Sequence, residues 1–256
     1  MNRFTNQIAI VTGAGKGLGR SYAKALCQEE AKVIIAEINS ESGMACEKEL
    51  KEMGYDATFI KTDVGNEEDV ISMVSKTISK FGRIDILINN AQATDESALP
   101  APIENTTVEL MKLTWTSGAL GTFFCTKYVV PHMKKQGYGR ILNTASSAGV
   151  QALPTFAAYG SQKEAIRCLT RVCAKELGGS GITCNVICPG AMTDASKMWK
   201  EARPHEYIAA METVPMKRLG DPDTDVTPAV MFLVSADSRF VTGQTIGVDG
   251  GATMLS

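Results

Sequence analysis

Thr12-Gly-Ala-Gly-Lys-Gly-Leu-Gly19 follows directly on a short apolar run at residues 7–11 and leads into a segment with apolar residues at Leu18, Tyr22, Ala25 and Leu26. A second apolar run, Val33-Ile-Ile-Ala36, ends at Glu37. Short continuous apolar runs suit buried strands, and the 3–4 spacing between them suits a helix. Strand, glycine turn, helix, strand, acid is the order of a dinucleotide-binding βαβ unit. Gly13, Gly17 and Gly19 let the backbone approach a pyrophosphate, and the helix N-terminus, where Lys16 and Leu18 stand, offers it free amides and a positive dipole. The spacing is Gly13-x-x-x-Gly17-x-Gly19, with Leu18 where Gly-x-Gly-x-x-Gly has its last glycine. Glu37 stands where an acid would bind a ribose 2′-hydroxyl. Its charge repels a 2′-phosphate and favours NAD over NADP; Lys16, a cation in the turn, works the other way.

The alternation continues outward from this unit. Residues 57–61 read as a strand ending at Asp63-Val64. Asn66 can cap a helix carrying Val70, Ile71, Val74, Ile78 and Phe81, which Gly82 closes. Residues 85–89 form a fourth strand before Asn90-Ala91-Gln92. A proline-containing loop precedes a long helical region at 107–136, then come a strand at 140–144 and a helix at 157–177, stopped by Gly178-Gly179. A strand at 182–188 ends near Pro189-Gly190. The segment to Pro215 follows, then a helix near 226–234 and a strand at 245–248. The expectation is one α/β domain over residues 1–256, a Rossmann fold with a doubly wound, mainly parallel, seven-stranded sheet and helices on both faces.

The 256 residues carry a net charge of −2, with 44% hydrophobic and 21% charged side chains. That balance gives no electrostatic footprint for nucleic acid. No apolar run is long enough to span a bilayer, and the first residues lead straight into a strand without a signal peptide, so the expected location is the cytoplasm. Seven cysteines without a Cys-x-x-Cys pair suit free thiols in a reducing compartment. His132 and His205 lack metal-ligand spacing, so no metal is expected.

Tyr159 and Lys163 are four apart on a helix and share a face. A phenol with a pKa near 10 is a poor acid–base at neutral pH, and a neighbouring ammonium brings it down. Ser146 follows the strand at 140–144, where its hydroxyl can hold a substrate oxygen near the phenol. This equipment moves a proton on and off a carbonyl or alcohol oxygen.

Taken together, Thr12-Gly-x-x-x-Gly-x-Gly19, Asp63-Val64, Asn89-Asn90-Ala91, Ser146, Tyr159-x-x-x-Lys163, Pro189-Gly190 and residues 242–251 resemble the short-chain dehydrogenase/reductase family over the whole chain. The resemblance implies that Tyr159 is the general acid–base, that Lys163 lowers its pKa and binds the nicotinamide ribose, and that Ser146 orients the substrate oxygen. It places Asp63 and Val64 at adenine and Asn90 and Ala91 on the ribose side. Pro189, Gly190 and Met192 flank the nicotinamide, with Thr193 or Asp194 nearby. It also implies a small-molecule alcohol or ketone substrate and a homo-oligomer, a dimer or a homotetramer.

The chain departs from the pattern twice. Gly118 stands where the family has a catalytic Asn, and Gln92 stands where it usually has Gly. A backbone carbonyl can serve the relay at position 118, so Gly118→Asn is expected to change the rate less than about tenfold. Met192, Met198, Trp199, Tyr207, Met211 and Met216 give the segment at about 191–215 the character of a lid, whose apolar residues either pack with one another or line a substrate pocket. The function expected is NAD-dependent interconversion of a secondary alcohol, apolar and cyclic or steroid-like, with its ketone. The alternatives are a 3-oxoacyl carrier-protein reductase and a nucleotide-binding sensor that has lost catalysis. Gln136 and Ser180 stand where such reductases carry basic residues, and the Ser–Tyr–Lys set speaks against the sensor.

Overall fold

The apolar runs become strands because both of their faces are covered. In the computed structural model, which describes residues 2–93 and 100–254, they are β1 (Ile8–Thr12), β2 (Lys32–Glu37), β3 (Ala57–Lys61), β4 (Ile86–Asn89), β5 (Gly139–Thr144), β6 (Ile182–Pro189) and β7 (Thr245–Val248). They lie side by side in the order β3-β2-β1-β4-β5-β6-β7, and every pairing is parallel. The sheet foreseen as mainly parallel is therefore all-parallel among the described residues. Strand order reverses between β1 and β4, which opens a crevice at their C-terminal ends.

Ten α-helices are described: α1 (Gly17–Gln28), α2 (Ser40–Glu52), α3 (Glu67–Phe81), α4 (Val108–Trp115), α5 (Gly121–Gln136), α6 (Ser147–Val150), α7 (Ala157–Leu177), α8 (Asp194–Ala202), α9 (Pro204–Thr213) and α10 (Thr227–Leu233). Alternate strand residues divide between two cores, as the pleat requires. Val11, Ile35 and Ile88 pack with Tyr22 and Leu26 of α1 and Val230 of α10. Ile10, Ile34 and Leu87 pack with Val70 and Val74 of α3, Val129 of α5 and Leu177 of α7.

Local chemistry sets the ends. The Asn66 side chain accepts from the Glu68 and Asp69 amides at 2.9 and 3.2 Å, and Gly82 closes α3 in the left-handed conformation at φ 74°. The structure departs from the expected elements in two places. Helix α2, capped by Asn39, lies where apolar spacing had picked out no helix. Residues 107–136 do not form one continuous helix, because a π turn at Thr116–Leu120, with Gly118 at its centre, separates α4 from α5.

The segment 191–215 contains α8 and α9. Tyr207, Met211 and Val214 are buried there, with Met192, Trp199 and Leu219 packed against them. The Trp199 and Tyr207 rings meet edge to face, 5.3 Å between centroids. These side chains pack with one another, while Met198 and Met216 are exposed.

A polar ladder crosses the sheet beneath the crevice. Asn89 Nδ2 donates to Asn143 Oδ1 at 2.8 Å, and Asn143 Nδ2 donates to Thr170 Oγ1 of α7 at 2.9 Å. All three residues are buried.

Candidate active site

β5 delivers its chain directly into the site. Beyond Thr144 the backbone turns, and the Ser146 hydroxyl accepts from the Ala148 amide at 3.2 Å, capping α6. The chain returns through residues 151–156, where Ala152 and Thr155 have φ of 48° and 70°. The Ala101 amide ties down this return by donating to the Thr155 carbonyl at 2.8 Å. α7 then begins and presents Tyr159 and Lys163.

The Ser146 hydroxyl beside the Tyr159 phenol acts to draw its pKa down, but burial has the larger effect and raises it. Lys163 is buried, with Nζ 3.0 Å from the Thr144 carbonyl oxygen and 5.4 Å from the Tyr159 ring centroid. Burial pushes this amine down to about 8. Burial and Ser146, rather than Lys163, account for the direction of the Tyr159 shift in this state. The amine points at a carbonyl, and its own charge is disfavoured by the same desolvation that keeps the phenol protonated. The three side chains do converge: Ser146 on the phenol, and Lys163 beside the ring.

The glycine turn lies across the crevice. Gly13 has φ 63°, and a Cβ on it would stand 2.8 Å from Ala91 Cα, so only glycine lets the two turns touch. Gly19 packs beneath the Gly13 carbonyl. The Thr12 hydroxyl accepts from the Asn90 and Ala91 amides, each at 3.0 Å. The Asn90 side chain donates to the Thr12 and Gly13 carbonyls at 3.0 and 3.2 Å, so its amide is turned onto the glycine turn. Lys16 and Gly17 are exposed at the start of α1, and Leu18 packs partly against the core. No side chain among the described residues caps this helix, its first turn carries no acid, and a Cβ on Gly17 would meet nothing within 4 Å. An uncapped N-terminus facing open space suits a pyrophosphate, so these residues fit a dinucleotide.

Glu37 is buried at the end of β2 and accepts from the Gly15 amide at 3.1 Å and the Asn39 amide at 3.0 Å. It keeps a carboxylate at the edge of the crevice and also braces the glycine turn. Asp63 accepts from the Gly65 amide at 2.9 Å, and Val64 is buried against Gly121. Opposite them Pro189 ends β6, and the Gly190 amide donates to Val248 at 2.9 Å. Met192 donates its amide to Gly220 at 2.8 Å, Thr193 caps α8, and Asp194 pairs with Lys197 at 3.1 Å.

Sequence reasoning missed Gln162, which is fully buried between Tyr159 and Lys163. Its Nε2 donates to Gln92 Oε1 at 2.9 Å. A Cβ on Gly118 would collide with Gln162 Oε1, lie 2.7 Å from its Cδ and 2.8 Å from Gln92 Oε1. A larger residue at 118 would have to displace the ends of these two amides, a contact that the expectation for Gly118→Asn did not include. Absence of a side chain at 118 beside a long amide at 92 was the available signal. No metal-binding cluster of His, Cys, Asp or Glu occurs among the described residues, and no described helix is long and apolar enough to cross a membrane.

A family profile described as enoyl-(acyl carrier protein) reductase matches residues 13–253. A 12alpha-hydroxysteroid dehydrogenase of Clostridium sp. is 35% identical over 258 residues, covering 98% of each chain. A 3-oxoacyl-(acyl-carrier-protein) reductase of Staphylococcus epidermidis is 34% identical, covering 97% of this chain and 100% of that one. Among solved structures, an NAD+-bound xylitol dehydrogenase superposes with a TM-score of 0.90 at 33% identity, covering 97% of this chain and 100% of the other.

Proposed function

The chain belongs to the short-chain dehydrogenase/reductase family of oxidoreductases, and from that premise we propose that it interconverts a secondary alcohol and its ketone with NAD. The observation that carries the reading is the convergence of Ser146, Tyr159 and buried Lys163 across the crevice from an uncapped α1. The nicotinamide, when bound, supplies the hydride chemistry. Gly13, Gly17, Gly19 and the amides following Lys16 would hold its pyrophosphate, Glu37 its adenine ribose, Asp63 and Val64 its adenine, and Pro189, Gly190 and Met192 its nicotinamide end. Asn90 would act through the glycine turn it braces, beside Ala91.

Ser146 holds the substrate oxygen against the Tyr159 phenol. In oxidation the phenolate takes the hydroxyl proton; in reduction the phenol returns it. Desolvation keeps the phenol protonated before ligands enter, so the resting site is set for proton donation. Oxidation requires Lys163 in its charged form beside the ring. Buried carboxylate at Glu37 supports NAD over NADP by repelling a 2′-phosphate, and Lys16 lies exposed in solvent.

The apolar, cyclic or steroid-like alcohol is the substrate class we favour, supported by the hydroxysteroid dehydrogenase relative. The carrier-protein reductase reading has a relative of its own. Against it, Gln136 is turned inward, donating to the Ile84 and Tyr138 carbonyls at 2.6 and 2.9 Å, and presents no cation at the end of α5. Our reading takes residues 1–256 as one catalytic domain, with α8 and α9 as the lid, acting in the cytoplasm as a homo-oligomer. The test is a screen of steroid, cyclic and linear secondary alcohols with NAD and NADP, following reduced-nicotinamide absorbance. Dinucleotide binding without turnover on the whole panel would replace this reading with the sensor.

A further inference from the structure

Gln162 lies on α7 between the two residues that hold the proton, and its side chain reaches no solvent. Burying a carboxamide costs free energy unless its groups are bonded. One end is bonded to Gln92 Oε1 at 2.9 Å. Gln92 in turn donates to Ser117 Oγ at 3.3 Å, the same hydroxyl that accepts from the Ala93 amide at 3.1 Å and donates to the Leu113 carbonyl at 2.9 Å. The other end, Oε1, is buried without a hydrogen-bond partner among the described residues and lies over Gly118 in the π turn, in the volume a Cβ there would need. A glycine inside a helical segment costs about 0.5–1 kcal/mol, and here it makes the seat for the amide. Gly118, Gln92 and Gln162 are thus one arrangement, joining the end of β4, the π turn and α7.

We propose that Gln162 is a positioning residue for the catalytic helix: seated over Gly118 and held by Gln92, it sets where Tyr159 and Lys163 stand in the crevice. The helix is then fixed from three sides. Gln162 bears on the π turn, Lys163 on the Thr144 carbonyl, and Tyr159 on Ser146 and on the Phe156 ring, 6.3 Å between centroids. Displacements of an ångström at such a site cost as much as about a hundredfold in rate. The inference rests on the oxidoreductase reading.

The experiment is a cycle of four full-length proteins: wild type, Gln162→Ser, Gly118→Asn, and the double variant. Each is assayed for kcat, KM, the pH profile of kcat/KM, NADH affinity and thermal unfolding. Gln162→Ser is expected to lower kcat by about tenfold to a hundredfold, with little change in alcohol KM and a displaced pH profile. Gly118→Asn alone is expected to lose about tenfold or more through collision with Gln162. In the double variant the new carboxamide enters the vacated seat, and activity should exceed that of either single variant. Additive losses, or a Gln162→Ser protein that melts lower while keeping the wild-type pH profile, overturn the proposal. If the wild type binds NADH but oxidises nothing on the panel, the oxidoreductase reading alone fails. The cycle is then read in NADH affinity and melting temperature, where coupled losses support the positioning role and additive ones refute it.

Discussion

Replacing Lys163 with methionine should make the protein more stable at neutral pH and remove one component of its pH dependence. The amine is buried, its one hydrogen bond among the described residues goes to a neutral carbonyl, and burial pushes it from 10.5 down to about 8. Below pH 8 the amine is charged in both folded and unfolded chains, and folding bears the whole cost of burying that charge. Between pH 8 and 10.5 the unfolded chain binds the proton more fully than the folded one, so stability rises with pH; above 10.5 the cost is gone. At about 1.4 kcal/mol per tenfold, the separation corresponds to ~3 kcal/mol. Methionine matches the length without the charge, but it leaves the Thr144 carbonyl without its donor, which costs about 1–3 kcal/mol. The net gain at neutral pH is therefore about 1 kcal/mol, or roughly 2–4 °C in Tm for a chain of this size. The orphaned carbonyl does not titrate, so the pH-dependent part stands by itself. Stability of the wild type relative to Lys163→Met should climb by ~3 kcal/mol between about pH 7 and 10.5. Urea unfolding of both proteins without dinucleotide, followed by tryptophan fluorescence across that range, measures it. A difference that stays flat with pH would refute the argument.

Tyr159→Phe should lower kcat by about 10²–10⁴-fold with dinucleotide affinity nearly unchanged; retention of more than about a tenth of the wild-type rate removes this phenol from the mechanism. In the same assays Lys163→Met should impair both turnover and dinucleotide binding. Glu37→Ala should relax the preference for NAD and also weaken binding of both dinucleotides, because the Gly15 and Asn39 amides lose their acceptor; isothermal titration with NAD and NADP reads both effects, and a wild type that prefers NADP contradicts the cofactor assignment. Of the seven cysteines only Cys168 is exposed, so a thiol reagent should modify one residue rapidly in the native protein and seven after denaturation.

How far the sequence could be read depended on where each signal is stored. Helices α3 and α7 were legible because their ends carry side-chain or glycine punctuation, Asn66 and Gly82 for one and Gly178 for the other. Helix α2 was missed because it buries only Gly43, Cys46 and Leu50, too thin an apolar stripe to register; its cap, Asn39, was the readable sign. The π turn depends on a shift in backbone hydrogen bonding that no residue type encodes, although Gly118 and Gly121 lie within it and at its end. Ser146, Tyr159 and Lys163 were legible from spacing, yet the direction of the Tyr159 shift was not, since it depends on desolvation by the assembled site. Gln162 reads in sequence as an ordinary polar helix residue. Only packing against Gly118 and Gln92 gives it a role.

The amide ladder beneath the crevice bears on how the chain finds its fold. β4 and β5 are buried on both faces, and Ile86, Leu87 and Ile88 beside Ile141 and Leu142 give a hydrophobic pattern that discriminates poorly between their alignments. Asn89 is paired with Asn143. A two-residue slip would keep each face apolar but bring Asn143 beside Leu87, stranding buried amides at about 1–3 kcal/mol each. Ser146 follows Asn143 by three residues and Asn90 follows Asn89 by one, so the same slip would draw the Ser146 turn about 7 Å back from the nucleotide side of the crevice. Two asparagines with no part in the proton transfer would thus act as an alignment pin during folding, disfavouring a wrongly paired chain before its site is assembled.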